Sequence, residues 1–168
     1  FNHCPQEKLE AWEGYIGIEI YNGVIRRLAG TPLATDRWDR LLGKGRKVWG
    51  FANDDSHAPQ DVELAWNVVQ SKKKTPKAIV QAMAEGKFYG STGVEIRTIA
   101  VHGRTIHVET SNAQRIVVHS NYGKRETHVD AAEITFHVPE EAKYRYVRIE
   151  CYGPGEAMAW TQPFWIQR

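Results

Sequence analysis

Cysteine is scarce: the chain has 2, Cys4 and Cys151, among 168 residues. They stand far apart and form no CxxC pair, which removes a thiolate metal site or a dithiol redox motif from consideration. Two free thiols fit a reducing compartment such as the cytoplasm. Charge of one sign is lacking too. The 22 basic and 20 acidic side chains leave a formal charge of +2, so no overall field points to nucleic acid or a membrane surface, while a phosphorylated substrate stays open. No apolar run approaches the roughly 20 residues of a membrane-spanning helix, and no membrane partner is expected. An initiator Met is absent, and Phe1-Asn2-His3-Cys4-Pro5 has none of the features of a secretory signal. The expectation is a piece of a longer protein, whose upstream part could carry any targeting segment.

What is present fits an ordinary globular chain, with 42% hydrophobic and 25% charged residues. The first half reads as alternating strands and helices. Tyr15 to Tyr21 is a β-branched and aromatic run ending at Asn22-Gly23. Asp36 is positioned to cap a helix in which Trp38, Leu41 and Leu42 share a face, and Gly43 and Gly45 end it. Lys47 to Phe51 is again extended, so a strand-helix-strand order predicts parallel strands. Thr75, Pro76, Ile79, Val80, Met83 and Gly86 mark a second helix from cap to stop. Lys72-Lys73-Lys74 leads into that cap as a solvated loop.

After about Gly93 the pattern changes to short β-rich segments, such as Arg115 to His119, Ala132 to Val138 and Tyr144 to Tyr152. The turn signals His102-Gly103-Arg104, Asn121-Tyr122-Gly123-Lys124 and Gly153-Pro154-Gly155 lie between and after them. Strands connected this closely are antiparallel. The expected division is an α/β part over residues 1–92 and a small antiparallel β-sandwich-like module over residues 93–168.

Chemistry concentrates at Asp55-Ser56-His57, directly after a buried strand. In an extended conformation both side chains project to one side and can share a metal ion. Loops after the C-terminal ends of parallel strands converge on one face, where His3 could join them if a strand ends near Phe1. Carboxylate and imidazole ligands suit zinc, manganese or iron. By spacing alone, Asp-x-His in a loop is more often a helix cap with a surface histidine than a metal site. His102, His107, His119, His128 and His137 fall in the β-rich half and read as solvent-facing strand residues. Trp160, Phe164 and Trp165 read as core or contact between the two parts.

Asn2-His3, Gly14 to Gly23, Trp38 to Arg46 and Asp54-Asp55-Ser56-His57 follow one another in an order that resembles the closing motifs of a polymerase-and-histidinol-phosphatase (PHP) domain. The likeness continues through Ile79 to Gly93 and covers about the first 93 residues. It implies the C-terminal part of a distorted (β/α) barrel and a metal-dependent phosphoesterase, in which two or three divalent metals activate water against a phosphate ester. His3, Asp55 and His57 would be metal ligands, with Asp55 and His57 also at the catalytic centre. Glu19 would stand behind the ligands as a supporting or structural group.

Arg26, Arg27 and Arg46 are candidates to hold the substrate phosphate, because they flank the strands whose ends would face the site. The substrate would be a phosphorylated small molecule or a nucleotide. Two departures stand out. Cys4 intervenes between His3 and Pro5, where the family has Pro directly after the histidine. The His-x-His motif that opens such a barrel, with the Glu and His ligands following it, is absent. The expected site is therefore partial, its remainder coming from the N-terminal part of the same protein. The unpaired barrel edge invites self-association. The competing reading is a non-catalytic β module that binds a ligand or partner beside a remnant α/β segment.

Overall fold

The computed structural model describes residues 4–166, and the expected ligand His3 lies outside them. The chain enters through α1 (Gln6–Ala11) and then alternates through β1 (Gly17–Asn22), a short helix α2 (Gly23–Arg27), α3 (Thr35–Gly43) and β2 (Trp49–Asn53). Strands dominate thereafter: β3 (Trp66–Val69), helix α4 (Pro76–Ala84), β4 (Phe88–Ser91), β5 (Ile96–His102), β6 (Thr105–Thr110) and β7 (Arg115–Ser120). They continue with β8 (Lys124–Val129), β9 (Glu133–His137), β10 (Tyr146–Tyr152), β11 (Met158–Thr161) and β12 (Phe164–Trp165). Among the described residues no helix is long and apolar enough to cross a membrane.

β1 and β2 pair in parallel, from Gly17 opposite Trp49 to Asn22 opposite Asn53, as the strand-helix-strand order predicts. α3 makes the crossover and buries Trp38, Leu41 and Leu42 completely. The expected cap differs. Asp36 lies inside the first turn and the cap position is Ala34, which has no side-chain acceptor. The reason is local pairing: Ala34 N–H donates to the Ile20 carbonyl, so the chain is already docked on β1 when the helix begins. Asp36 then acts only through its charge near the helix N-terminus. The second helix follows its signals, with the Thr75 hydroxyl accepting from Ala78 N–H and Pro76 in the first turn. Gly86, in a left-handed conformation at φ +72°, follows it, and a Cβ there would come within 2.7 Å of the Trp49 ring.

The rest of the fold is antiparallel. The main sheet runs β3-β4-β11-β10-β7-β8, with β12 also on β10, and a second sheet runs β5-β6-β9. The expected division between residues 92 and 93 falls between β4 and β5, and the main sheet takes strands from both sides of it. No barrel closes among the described residues; one parallel pair is joined to a mainly β structure. At the joint, two side-chain amides take the place of a neighbouring strand along β2. The Gln162 amide accepts from Gly50 N–H at 2.9 Å and donates to Gly50 C=O at 2.8 Å. Asn67 does the same for Ala52, at 3.1 and 2.8 Å. β2 is thereby closed to further pairing at these positions.

β10 lies between two cores. Val147, Ile149 and Cys151 face the hydrophobic core of the β-rich part with Ile106, Val108, Ile116, Val118 and Ile134. Burial pushes the Cys151 thiol up to about 12, an inert core group. On the opposite face Tyr146 joins Trp160, Ile18, Ile20 and the α3 side chains. Between these apolar groups sits an ionic cluster. Arg148, 2% exposed, forms a bidentate pair with Asp39 of α3 (2.7 and 2.6 Å), bonds Glu150 at 2.6 Å, and has its guanidinium carbon 5.4 Å from the Trp38 ring centre. Tyr146 Oη donates to Asp39 at 2.7 Å.

Two outcomes follow from these contacts. Gln162→Met keeps the volume but strands a buried N–H and C=O of Gly50, so urea denaturation should register a loss of about 2–5 kcal/mol; a loss below about 1 kcal/mol would show that the joint does not depend on this amide. Burial alone would raise the Glu150 carboxyl, but Arg148, with His119 and Tyr152, outweighs it and holds the group well below its ordinary 4.5. The unfolded chain therefore takes up a proton as pH falls through the ordinary carboxylate range while the native chain does not. The stabilisation from Glu150 is fully present above that range and is lost below it. Glu150→Gln should cost about 3–5 kcal/mol at pH 7, and its gap from wild type in urea midpoint should narrow between pH 5 and pH 3. A gap independent of pH would contradict this assignment.

Candidate functional site

The loop over residues 54–65 leaves the C-terminal end of β2 and returns to β3. Its fold is set by two carboxylates. Asp54 accepts backbone N–H bonds from Leu64 and Ala65, both at 2.7 Å, and from Glu63 at 3.1 Å, tying the loop's end to its start. Asp61, 1% exposed, accepts from the N–H groups of His57 (3.0 Å) and Ala58 (2.9 Å) and pairs with Arg27 Nε at 2.6 Å. The His57 amide, together with Arg27, holds the Asp61 carboxyl below the usual carboxylate range against the opposing effect of burial. The loop is also docked on α2. Val24 N–H donates to the Asp54 carbonyl at 3.0 Å, and a Cβ on Gly23 would lie 2.5 Å from Leu64 Cβ, so only glycine permits this approach.

With Asp54 and Asp61 engaged, Asp55 and His57 face outward, with side chains 45% and 72% exposed, and Glu63 is exposed too. Their proximity does not come from extended alternation as expected. Asp55 adopts a left-handed backbone at φ +60°, which Asp tolerates better than most residues. The turn brings His57 Nδ1 to 2.5 Å from the Asp55 carbonyl oxygen and 4.0 Å from its Oδ1. A histidine whose Nδ1 is held by a backbone carbonyl presents Nε2 outward, the arrangement common among metal-bound imidazoles. The donor set, one carboxylate and one imidazole, fits zinc, manganese or iron. It is only two groups: among the described residues no cluster of three or more His, Cys, Asp or Glu side chains is arranged to hold a metal.

Glu19 lies one step beneath this loop. Its Oε1 accepts from Asn53 Nδ2 at 2.9 Å and its Oε2 from Asn22 Nδ2 at 3.1 Å, joining the ends of β1 and β2. Asn22 also caps α2 through Ile25 N–H, and Asn67 Nδ2 bonds Asn53 Oδ1 at 3.2 Å. The arginines are engaged elsewhere. Arg26 pairs with Glu156 at the surface, a contact of small energetic weight. Arg27 holds Asp61.

Arg46 precedes β2, at the opposite end of that strand from Asp55. It donates to the carbonyls of Glu10 (2.6 Å) and Trp12 (2.5 Å) and lies over the Tyr15 ring. It anchors the end of α1 rather than facing the 54–65 loop. Arg37, in the first turn of α3, donates to the Cys4 carbonyl ahead of α1. The start of α3 is thereby tied to the start of α1, while Lys44 and Arg46, which follow α3, reach Glu10 near the other end of α1.

The β-rich half's histidines differ from expectation at one position. His102, His128 and His137 are exposed and His107 is half-buried against Thr135, but His119 is mostly enclosed, its Nε2 3.4 Å from Glu150. Tyr152 and Arg148 converge on the same carboxylate. Trp160 is fully buried and stacks 5.5 Å from Tyr21, a contact between the two parts as expected. Two recesses, of about 480 and 440 Å³, lie away from the Asp55 loop. One is lined by Arg115, His119, Arg125 and Tyr152, the other by Val68, Phe88, Ile99 and Phe164.

Sequence reasoning did not single out Asp61 as part of this arrangement. Its signal is Pro59 at the first position of a short turn, with an acidic residue two places on that can reach back to free N–H groups. Asp54 is legible only as one of two adjacent carboxylates, with nothing to say which faces inward. No protein-family model, curated protein or solved structure matches the chain.

Proposed function

We propose that the chain is the C-terminal part of a PHP-type metal-dependent phosphoesterase and contributes Asp55 and His57 to a divalent-metal site. The observation that carries this reading is the division of labour in the 54–65 loop. Its other two aspartates are engaged by backbone N–H groups, while Asp55 and His57 stand outward at the C-terminal end of a parallel pair. A bound divalent ion would supply activated water and neutralise phosphoryl charge. Asp55 and His57 Nε2 would hold it, and Glu19 would keep the two strand ends in register beneath them. The parallel pairing of β1 and β2 across the α3 crossover supports a segment of a (β/α) barrel. On the outer edge of β1, Tyr21 bridges Leu33 while Gly17–Glu19 have no second strand among the described residues. The N-terminal part of the same protein would pair there and bring the remaining ligands. A second copy is the competing occupant of that edge.

The β module as a binding unit is the second reading. It is favoured by the recess of about 480 Å³ on the main sheet, with Arg115, Arg125, His119 and Tyr152 around it. The two readings part experimentally. In the encoded full-length protein, Asp55→Ala and His57→Ala should each reduce manganese-supported hydrolysis of p-nitrophenyl phosphate by at least about 100-fold with the melting temperature little changed. The 168-residue chain alone should hold less than stoichiometric manganese. Retained hydrolysis in Asp55→Ala would remove the residue from the site, and stoichiometric metal with turnover in the isolated chain would refute the partial site.

A further inference from the structure

We propose that Asp61 and Arg27 are positioning residues, which preset the backbone of His57 before any metal arrives and couple the end of β1 to the loop after β2. The proposal rests on the reading of Asp55 and His57 as metal ligands. Three observations carry it. The Asp61 carboxylate is buried and bonds the backbone N–H of His57 itself, the proposed ligand, as well as that of Ala58. The same segment is closed by Asp61 N–H on the Ala58 carbonyl (2.9 Å) and by the Ser56 hydroxyl on the Asp61 carbonyl (3.3 Å). The counter-charge comes from another element: Arg27 of α2 reaches Asp61 from a helix whose start is fixed to β1 by the Asn22 cap.

Geometry explains why this is more than loop stability. With the His57 N–H pinned on one side and its Nδ1 against the Asp55 carbonyl on the other, the ring has little freedom left, and Nε2 is aimed without help from a metal. Metal sites depend strongly on such support, and loss of an outer partner typically weakens metal binding about 10–100-fold. Asp54 plays a different part, since its partners are Glu63, Leu64 and Ala65 at the far end of the loop. Arg27 is tied to the half of the loop that carries the imidazole. The exposed pair Arg26–Glu156, one residue away, serves as an internal control.

The test uses the encoded full-length protein, metal-free and then titrated with manganese. In Asp61→Asn and Arg27→Gln, amide hydrogen exchange at His57 and Ala58 in the metal-free protein should speed at least about 10-fold, and manganese affinity by calorimetry should fall about 10–100-fold. Arg27→Lys should recover part of both, and Arg26→Gln should change neither. Unchanged amide protection together with manganese affinity within about twofold in Arg27→Gln would overturn the proposal, and this surface-reaching variant decides the matter where Asp61→Asn lowers the melting temperature of the whole chain. If Asp55→Ala leaves manganese affinity unchanged, the metal reading fails. Amide exchange then judges the positioning role by itself.

Discussion

Arg148 is the point on which the two parts of the molecule meet. A guanidinium with almost no solvent contact survives only where its charge and donors are matched, and here two carboxylates from different elements do so. Glu150 is local, two residues along β10, and comes with the strand. Asp39 is remote: it arrives only when α3 has crossed from β1 to β2 and packed its Trp38 face against the main sheet. The pair therefore forms only when the parallel unit and the antiparallel sheet are docked together. A slip of α3 by one residue would leave both the cation and its carboxylates without partners in an apolar surround. Such a cluster adds little net stability over a hydrophobic replacement but strongly penalises wrong arrangements.

That fixed docking is what gives the strand ends a defined geometry. α3 holds β1 beside β2, Glu19 ties Asn22 to Asn53 across the pair, and the Gln162 and Asn67 amides seal β2 against the β-rich part. The loop over residues 54–65 can then be built on rigid supports. Asp54 closes its end and α2 receives it through Val24 and Gly23. Polar groups serve as mechanical fasteners throughout. Within the loop, an aspartate with backbone N–H partners shapes the chain, and one that has none faces outward. Asp55 belongs to the second class, next to Asp54 in the first.

Several of these features were legible in the sequence and others were not, for physical reasons. Local signals held wherever the determinant is local: Thr75-Pro76 and Gly86 bound α4, and Trp38, Leu41 and Leu42 form the buried face of α3. The parallel pair followed from element order. Asp36 misled because a cap depends on where the chain arrives, and pairing of Ala34 with Ile20 starts the helix earlier. Tyr146-Val147-Arg148-Ile149-Glu150-Cys151 has the period of a strand with one wet face, and nothing within it announces that α3 will cover the polar side. Asp55 and His57 were legible as neighbours in sequence, but their approach comes from a left-handed turn rather than strand alternation. Arg46 drew attention by its place beside a strand, yet it stands at the wrong end of β2 and bonds α1.

The side-chain amides at β2 bear on how an α/β segment can be continuous with a β-rich one. A parallel strand with an unpaired edge presents N–H and C=O groups that recruit another chain. Gln162 and Asn67 answer the Gly50 and Ala52 peptides with both a donor and an acceptor each, and their own backbones remain free to follow the main sheet in another direction. The sheet therefore changes direction without leaving buried peptide groups unsatisfied. β1 is treated differently: Pro32–Ala34 engage only its C-terminal half, through the Ile20 carbonyl and Asn22 N–H. One edge of the parallel pair is thus sealed by side chains of this chain and the other is sealed over half its length. An added strand would fit only beside Gly17–Glu19, on the far side of β1 from β2.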